Sequence, residues 1–244
     1  MTINSQIKEK IVLAVDINEI ETAKLLIKEL KDYVGTFKFG LQFYTANGNE
    51  LFRFMKENNI NYFLDIKLMD IPNTVARASE NITRLGANFF NVHALGGKEM
   101  MSEAKLAASR VAKEMKRDEP TVLAVTLLTS IDKKVLEEQF SIKNSSDDFV
   151  LRLAELAKDS GLDGVVASAF EVKRIKQICG KSFKVLCPGI RPLWSVKNDQ
   201  KRVATPKFAL EEGADYIVVG RAVMDTSDKM EAIQKIYEEI KEII

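Results

Sequence analysis

Histidine is almost missing from this chain: His93 is the only one among 244 residues. The inventory therefore excludes a histidine-based triad centred elsewhere and any zinc site that needs several histidines. Cysteine is nearly as scarce. Cys179 and Cys187 are the only two, too few for a disulfide framework, and they read as core thiols. Neither sign of charge is in excess, since 36 basic and 35 acidic residues leave a formal net charge of +1. No basic block interleaved with aromatics occurs, so neither a nucleic-acid partner nor a strongly charged membrane surface is expected. Long apolar runs are lacking too. None approaches a membrane span, and the opening MTINSQIKEK has no apolar stretch of the signal-peptide kind, which points to a cytoplasmic protein. Finally, no G-x-G-x-x-G follows the first strand, where a doubly wound dinucleotide-binding sheet would carry it.

What is present is a repeating alternation. With 46% hydrophobic content the chain can bury a large core, and barrels of this length are commonly one domain. Short apolar runs at 11–16 (IVLAVD), 35–40 (GTFKFG), 61–68 (NYFLDIKL), 88–93 (NFFNVH), 121–126 (TVLAVT), 163–168 (DGVVAS), 183–187 (FKVLC) and 215–220 (DYIVVG) read as strands. Between them, apolar residues recur at helical spacing, as at Ile20, Ala23, Leu26, Ile27 and Leu30, or at Val75, Ala78, Ile82 and Leu85 before Gly86. One helix centred on Leu51 to Met55 is expected between the second and third strands. Eight such units predict a single closed (β/α)8 barrel over residues 1–244, with no linker. The longest segment without a period follows the seventh strand, and its part 189–206 is either a lid that closes over a phosphate or a plain surface loop.

Polar residues gather where the strands end. The third strand finishes in Asp65 and Lys67, with Asp70 just beyond and Pro72 as its stop. Charge in so apolar a setting needs partners or a task. The structural alternative is an Asp65–Lys67 ion pair with Asn73 or Thr74 capping the next helix. Asp16, Lys38, His93, Thr126, Thr129, Arg191, Gly220 and Arg221 likewise stand at or just past strand ends, the rim that carries the active site in a barrel. Pro188-Gly189-Ile190-Arg191 and Gly220-Arg221-Ala222 suit a phosphate, because glycine permits close backbone approach and arginine matches phosphate oxygens in a fork. A glycine turn with a surface arginine is the plain reading of either segment.

The stretch Asp65-Ile66-Lys67-Leu68-Met69-Asp70-Ile71-Pro72-Asn73-Thr74 closely resembles the D-x-K-x-x-D-I-P-N-T signature of the orotidine 5′-phosphate decarboxylase family, within the ribulose-phosphate-binding barrels. Asp16, Lys38, LLTS at 127–130, PGIR at 188–191, Asp199-Gln200 with Arg202, and Gly220-Arg221 follow the family's order, so the resemblance covers nearly the whole chain. Cys187 stands where Thr or Asp is expected before the proline. The resemblance implies conversion of orotidine 5′-monophosphate to uridine 5′-monophosphate and carbon dioxide, the last step of UMP synthesis, with no cofactor and no metal. It implies Lys67 as proton donor to pyrimidine C6 in an array with Asp65, Lys38 and Asp70. Asp16 and Lys38 would contact the ribose, and Thr129 the pyrimidine. Arg191, Gln200, Gly220 and Arg221 would hold the phosphate, with Asp65 and Thr74 also in contact with substrate. It further implies a homodimer in which Asp70 serves the partner's site. His93 either lines the site or is a core or interface residue. Two competitors remain: a Mg²⁺-dependent sugar-phosphate decarboxylase or epimerase on the same barrel, and a catalytically silent phosphate-binding barrel.

Overall fold

The apolar runs form eight short strands: β1 (Ile11–Ala14), β2 (Thr36–Gly40), β3 (Tyr62–Leu68), β4 (Phe89–His93), β5 (Thr121–Val125), β6 (Gly164–Val166), β7 (Lys184–Cys187) and β8 (Tyr216–Val219). They pair in chain order, all parallel, and β8 closes on β1 with Ile11 opposite Ile217 and Val12 opposite Val218. This computed structural model describes residues 4–195 and 204–243, and the fold is a (β/α)8 barrel. Both faces of each strand are covered, which is why the runs read as continuously apolar. Alternate residues split between two cores. Val12, Ala14, Phe63, Leu123, Leu186 and Val218 fill the barrel interior. Their neighbours Leu13, Leu64, Phe90 and Val165 join the larger layer under the helices.

The helices are α1 (Ser5–Lys10), α2 (Ile20–Leu30), α3 (Leu41–Asn47), α4 (Glu50–Glu57), α5 (Pro72–Leu85), α6 (Gly97–Glu114), α7 (Lys133–Glu138), α8 (Ser146–Asp159), α9 (Val172–Cys179), α10 (Pro206–Glu211), α11 (Arg221–Met224) and α12 (Lys229–Ile240). In α5 the expected Val75 and Ile82 are buried, but Ala78 and Leu85 are half-buried and the buried face runs instead through Ala76, Ser79 and Thr83. Three local departures have physical causes. The single helix expected after β2 is two, because Gly48, with φ 58° and ψ −133°, turns the chain between α3 and α4 in a conformation open essentially to glycine alone. Helix α7, absent from the sequence reading, buries only Leu136 and so leaves no periodic stripe; it is started by Asp132, whose side chain accepts the Val135 N–H at 2.9 Å. Neither Asn73 nor Thr74 caps α5. Ile71 holds the N-cap position without a side-chain bond, and Pro72 opens the first turn.

A three-residue unit recurs at the opposite end of the barrel from the polar rim. Gly86-Ala87-Asn88, Gly161-Leu162-Asp163 and Gly213-Ala214-Asp215 each close a helix with a left-handed glycine (φ 101°, 80° and 100°) and enter an even-numbered strand. The Asn or Asp then accepts a backbone N–H of the preceding strand: Tyr62 to Asn88 at 3.1 Å, Val122 to Asp163 at 2.7 Å and Val185 to Asp215 at 2.7 Å. Lys105 and Lys176 pair with the two acids at 2.9 and 2.7 Å. These ties satisfy backbone donors at strand starts and leave the other end of the barrel free for chemistry.

Candidate active site

Alternation along β3 turns Phe63, Asp65 and Lys67 inward, with Phe63 in the apolar floor and the two charges above it. Pairing with β4 is regular to Leu64–Phe90 and resumes only at Leu68–Val92, so residues 65–67 face the single residue Asn91. Lys67 absorbs the excess length with φ 51°, in the left-handed region, which for an L side chain costs roughly 1–2 kcal/mol. Asn91 fills the gap in the ladder. Its Oδ1 accepts the Lys67 N–H at 2.8 Å and its Nδ2 donates to Asp65 Oδ1 at 2.7 Å.

Asp65 is the hub of the charges. Its Oδ1 accepts from Lys67 Nζ at 2.6 Å, its Oδ2 pairs with Lys38 Nζ at 3.1 Å, and Lys38 also reaches Asp16 Oδ1 at 4.0 Å. The Lys38 and Asp65 side chains are only 12% and 14% exposed, so neither charge is tolerable without the other. Burial by itself pushes the Asp65 carboxyl up, but the Lys38 and Lys67 charges and the Lys67 and Asn91 hydrogen bonds outweigh it and hold it below the usual carboxylate range. The result is an alternating row Asp16–Lys38–Asp65–Lys67 that is set without substrate.

This row forms one wall of a cavity of about 600 Å³, its open mouth included. Phe63, Val125, Val166, Leu186 and Val218 are its apolar floor, and Leu127, Leu128, Thr129, Ala167, Ser168 and Pro188 face the charges.

The family description "Orotidine 5′-phosphate decarboxylase / HUMPS family" matches residues 9–236. The chain belongs to that family. Among its relatives, the orotidine 5′-phosphate decarboxylase of Syntrophomonas wolfei is 44% identical over 238 residues, covering 97% of this chain and 100% of the relative. That of Carboxydothermus hydrogenoformans is 45% identical over 236 residues, covering 97% and 98%. The crystal structure of orotidine 5′-phosphate decarboxylase from Lactobacillus acidophilus superposes with a TM-score of 0.84 at 34% identity, covering 94% of this chain and 97% of that one.

Of the family residues expected from the sequence, Lys38, Asp65, Lys67 and Thr129 line the cavity. Asp16 lies exposed two residues past the end of β1 and joins the row through Lys38. Gly220 and Arg221 open α11 at the rim, and Arg191, half-buried, bonds its N–H to the Ala204 carbonyl at 2.9 Å. Asp70, between β3 and α5, and Thr74, in the first turn of α5, are exposed and do not line the cavity. Asp70 accepts the Ile71 N–H at 2.6 Å and makes no ion pair among the described residues. Gln200, with Asp199, Arg202 and the middle of the expected lid (196–203), lies outside the described residues. Two rim candidates are structural. Thr126 is fully buried and donates to the Val166 carbonyl at 3.1 Å. His93 is buried, away from the cavity lining, and its Nδ1 accepts the Leu95 N–H at 3.3 Å. Burial, and then the Lys67 charge, depress its pKa and favour the neutral imidazole. Cys179 and Cys187 are free, buried thiols, as expected. The residue the sequence reading passed over is Asn91, whose signal was an amide in the middle of an apolar strand.

Proposed function

We propose that this chain converts orotidine 5′-monophosphate to uridine 5′-monophosphate and carbon dioxide, the last step of UMP synthesis, using side chains alone. The observation that carries this reading is the Lys38–Asp65–Lys67 row set over an apolar floor. Breaking the bond from C6 to the carboxylate leaves an electron pair at C6 as carbon dioxide departs. The Lys67 ammonium offsets that charge where it develops and gives a proton to form the C6–H bond, after which solvent restores its proton. Asp65 lies beside the departing carboxylate and orients Lys67; Asp16 and Lys38 take the ribose, and Thr129 the pyrimidine. Arg191, Gln200, Gly220 and Arg221 hold the phosphate, with Thr74 on the rim. Binding free energy from that remote group can then support the chemistry.

A Mg²⁺-dependent sugar-phosphate reaction fits the residues poorly. Both Asp65 oxygens already accept from Lys67, Asn91 or Lys38, and a divalent cation there would face two ammonium groups. We read the whole chain as one barrel domain acting in a homodimer, with Asp70 completing the partner's site. Its exposed position between Met69 and Ile71, 55% and 67% exposed, with no ion pair among the described residues, supports that reading. A cytoplasmic location is part of it, in keeping with two free thiols; among the described residues no helix is long and apolar enough to cross a membrane. The test is loss of absorbance near the orotate band when orotidine 5′-monophosphate is added in excess EDTA. Sustained turnover is expected. Activity that EDTA abolishes would transfer the chain to the metal-dependent reading, and no turnover at all would leave a silent phosphate-binding barrel.

A further inference from the structure

We infer that Asn91 is a positioning residue for this reaction: its buried carboxamide holds the Lys67 backbone in its left-handed turn and orients the Asp65 carboxylate, and so sets where the Lys67 ammonium stands. Three residues of β3 face Asn91 alone, so the strand ladder has no carbonyl to offer the Lys67 N–H. Asn91 has no exposed surface, and a backbone donor left unpaired beside it would lose the full free energy of its hydration. The amide resolves this in only one orientation. A backbone N–H can only donate, so the atom 2.8 Å from Lys67 N is the amide oxygen, and the NH₂ necessarily faces Asp65 Oδ1 at 2.7 Å. That same Oδ1 accepts from Lys67 Nζ at 2.6 Å. Asn91 therefore touches the proposed proton donor twice, once at its backbone and once through the carboxylate that anchors its ammonium.

No other side chain of that length supplies both contacts. Aspartate keeps the acceptor but sets a second anion against Asp65, and leucine fills the volume with neither donor nor acceptor. The charged and titratable groups around Asp65 are Lys38 from β2, with Asp16 from the end of β1 behind it, and Lys67 from β3 itself; His93, its pKa lowered by burial and then by Lys67, follows on β4. Asn91 carries no charge itself, and it favours the ionised carboxylate by donating to it.

The kinetic consequence rests on the decarboxylase reading, whereas the structural one does not, so the test has two arms. Asn91→Ala and Asn91→Asp are compared with the parent for kcat and KM on orotidine 5′-monophosphate. In the substrate-free proteins, the Asp65 carboxyl is titrated by carbon-13 NMR. In Asn91→Ala, kcat should fall about tenfold or more, the worth of one charge-assisted hydrogen bond, with KM changed less than about threefold. The Asp65 midpoint should move up, and further still in Asn91→Asp. If Asn91→Ala does not fold, Asn91→Asp, which keeps an acceptor for the Lys67 N–H, is judged by the same two measurements. A kcat within about twofold of the parent, or an unmoved Asp65 titration, overturns the assignment and leaves Asn91 as a space-filling core residue. A parent that does not turn over the nucleotide overturns the decarboxylase reading instead, and the NMR arm still decides whether Asn91 orients Asp65.

Discussion

Lys67 holds its ammonium 2.6 Å from Asp65 while its backbone sits at φ 51°, a conformation that lysine has no intrinsic reason to adopt. Such strain persists only where neighbours over-determine it, and here Asn91 and Asp65 do so. Lys67→Ala should remove several kcal/mol of transition-state stabilisation, on the order of the larger catalytic terms, with little change in product-nucleotide affinity; turnover near the parent's would discard the mechanism. The second residue-scale prediction concerns Glu171, which accepts the N–H of the cavity-lining Ser168 at 2.8 Å. Burial pushes its carboxyl up to about 7, against the Ser168 hydrogen bond and helped by the Asp147 charge. A raised carboxyl favours the folded state most below its unfolded value, near 4.5, and that contribution is lost as pH rises from there through about 7. The parent should therefore lose melting temperature between pH 5 and pH 8 relative to Glu171→Gln, which cannot titrate. Parallel melting curves at the two pH values would contradict the assignment. The charges of the site were legible because they interrupt an apolar strand. Glu171 was not, since a glutamate at a helix start is ordinary in any sequence.

At the scale of elements, the Gly-x-Asx units are what join one β/α pair to the next. Asp163 ties α6 to β5 and β6 at once through Lys105 and the Val122 N–H. Asp163→Ala leaves the buried Val122 N–H unpaired and Lys105 with Glu119 alone, at 3.2 Å, so it should lower the unfolding free energy by about 1–3 kcal/mol. Because the tie lies at the far end of the barrel from the cavity, kcat per folded molecule should stay at the parent's value. Urea unfolding followed by assay of the folded fraction measures both, and a fall in kcat without loss of stability would contradict this division of the barrel. Strand β6 shows a different constraint. A Cβ at Gly164 would lie 2.1 Å from the Lys184 carbonyl oxygen, so β6 and β7 approach closely only because glycine stands there. Nothing local in DGVVAS reveals that, because the clash is with a strand 20 residues on.

For the whole molecule, the open question is whether one chain completes its own site. Asp70 stands away from Asp65 and Lys67 on an exposed rim, and a two-fold dimer would make its loan to the partner reciprocal. Inactive Lys67→Ala and Asp70→Ala chains, mixed under conditions that allow exchange, should regain roughly one quarter of parental activity, since about half the dimers are mixed and half their sites intact. No recovery despite demonstrated exchange would mean that Asp70 serves its own chain. The sequence alone determined the class of fold, because parallel strands covered on both faces must read as apolar runs and their helices as stripes. It also determined which strand ends carry charge, since those residues break the runs at one end. Only the tertiary structure decided which charges meet. Asp65 collects Lys38 and Lys67 while Asp70, five residues away, collects neither, and His93 and Thr126 turn from rim candidates into packing residues. Pairing across strands depends on register and on where a strand bulges. Here three residues of β3 against one of β4 set the geometry of the site, a mismatch between two segments that no single run of sequence displays.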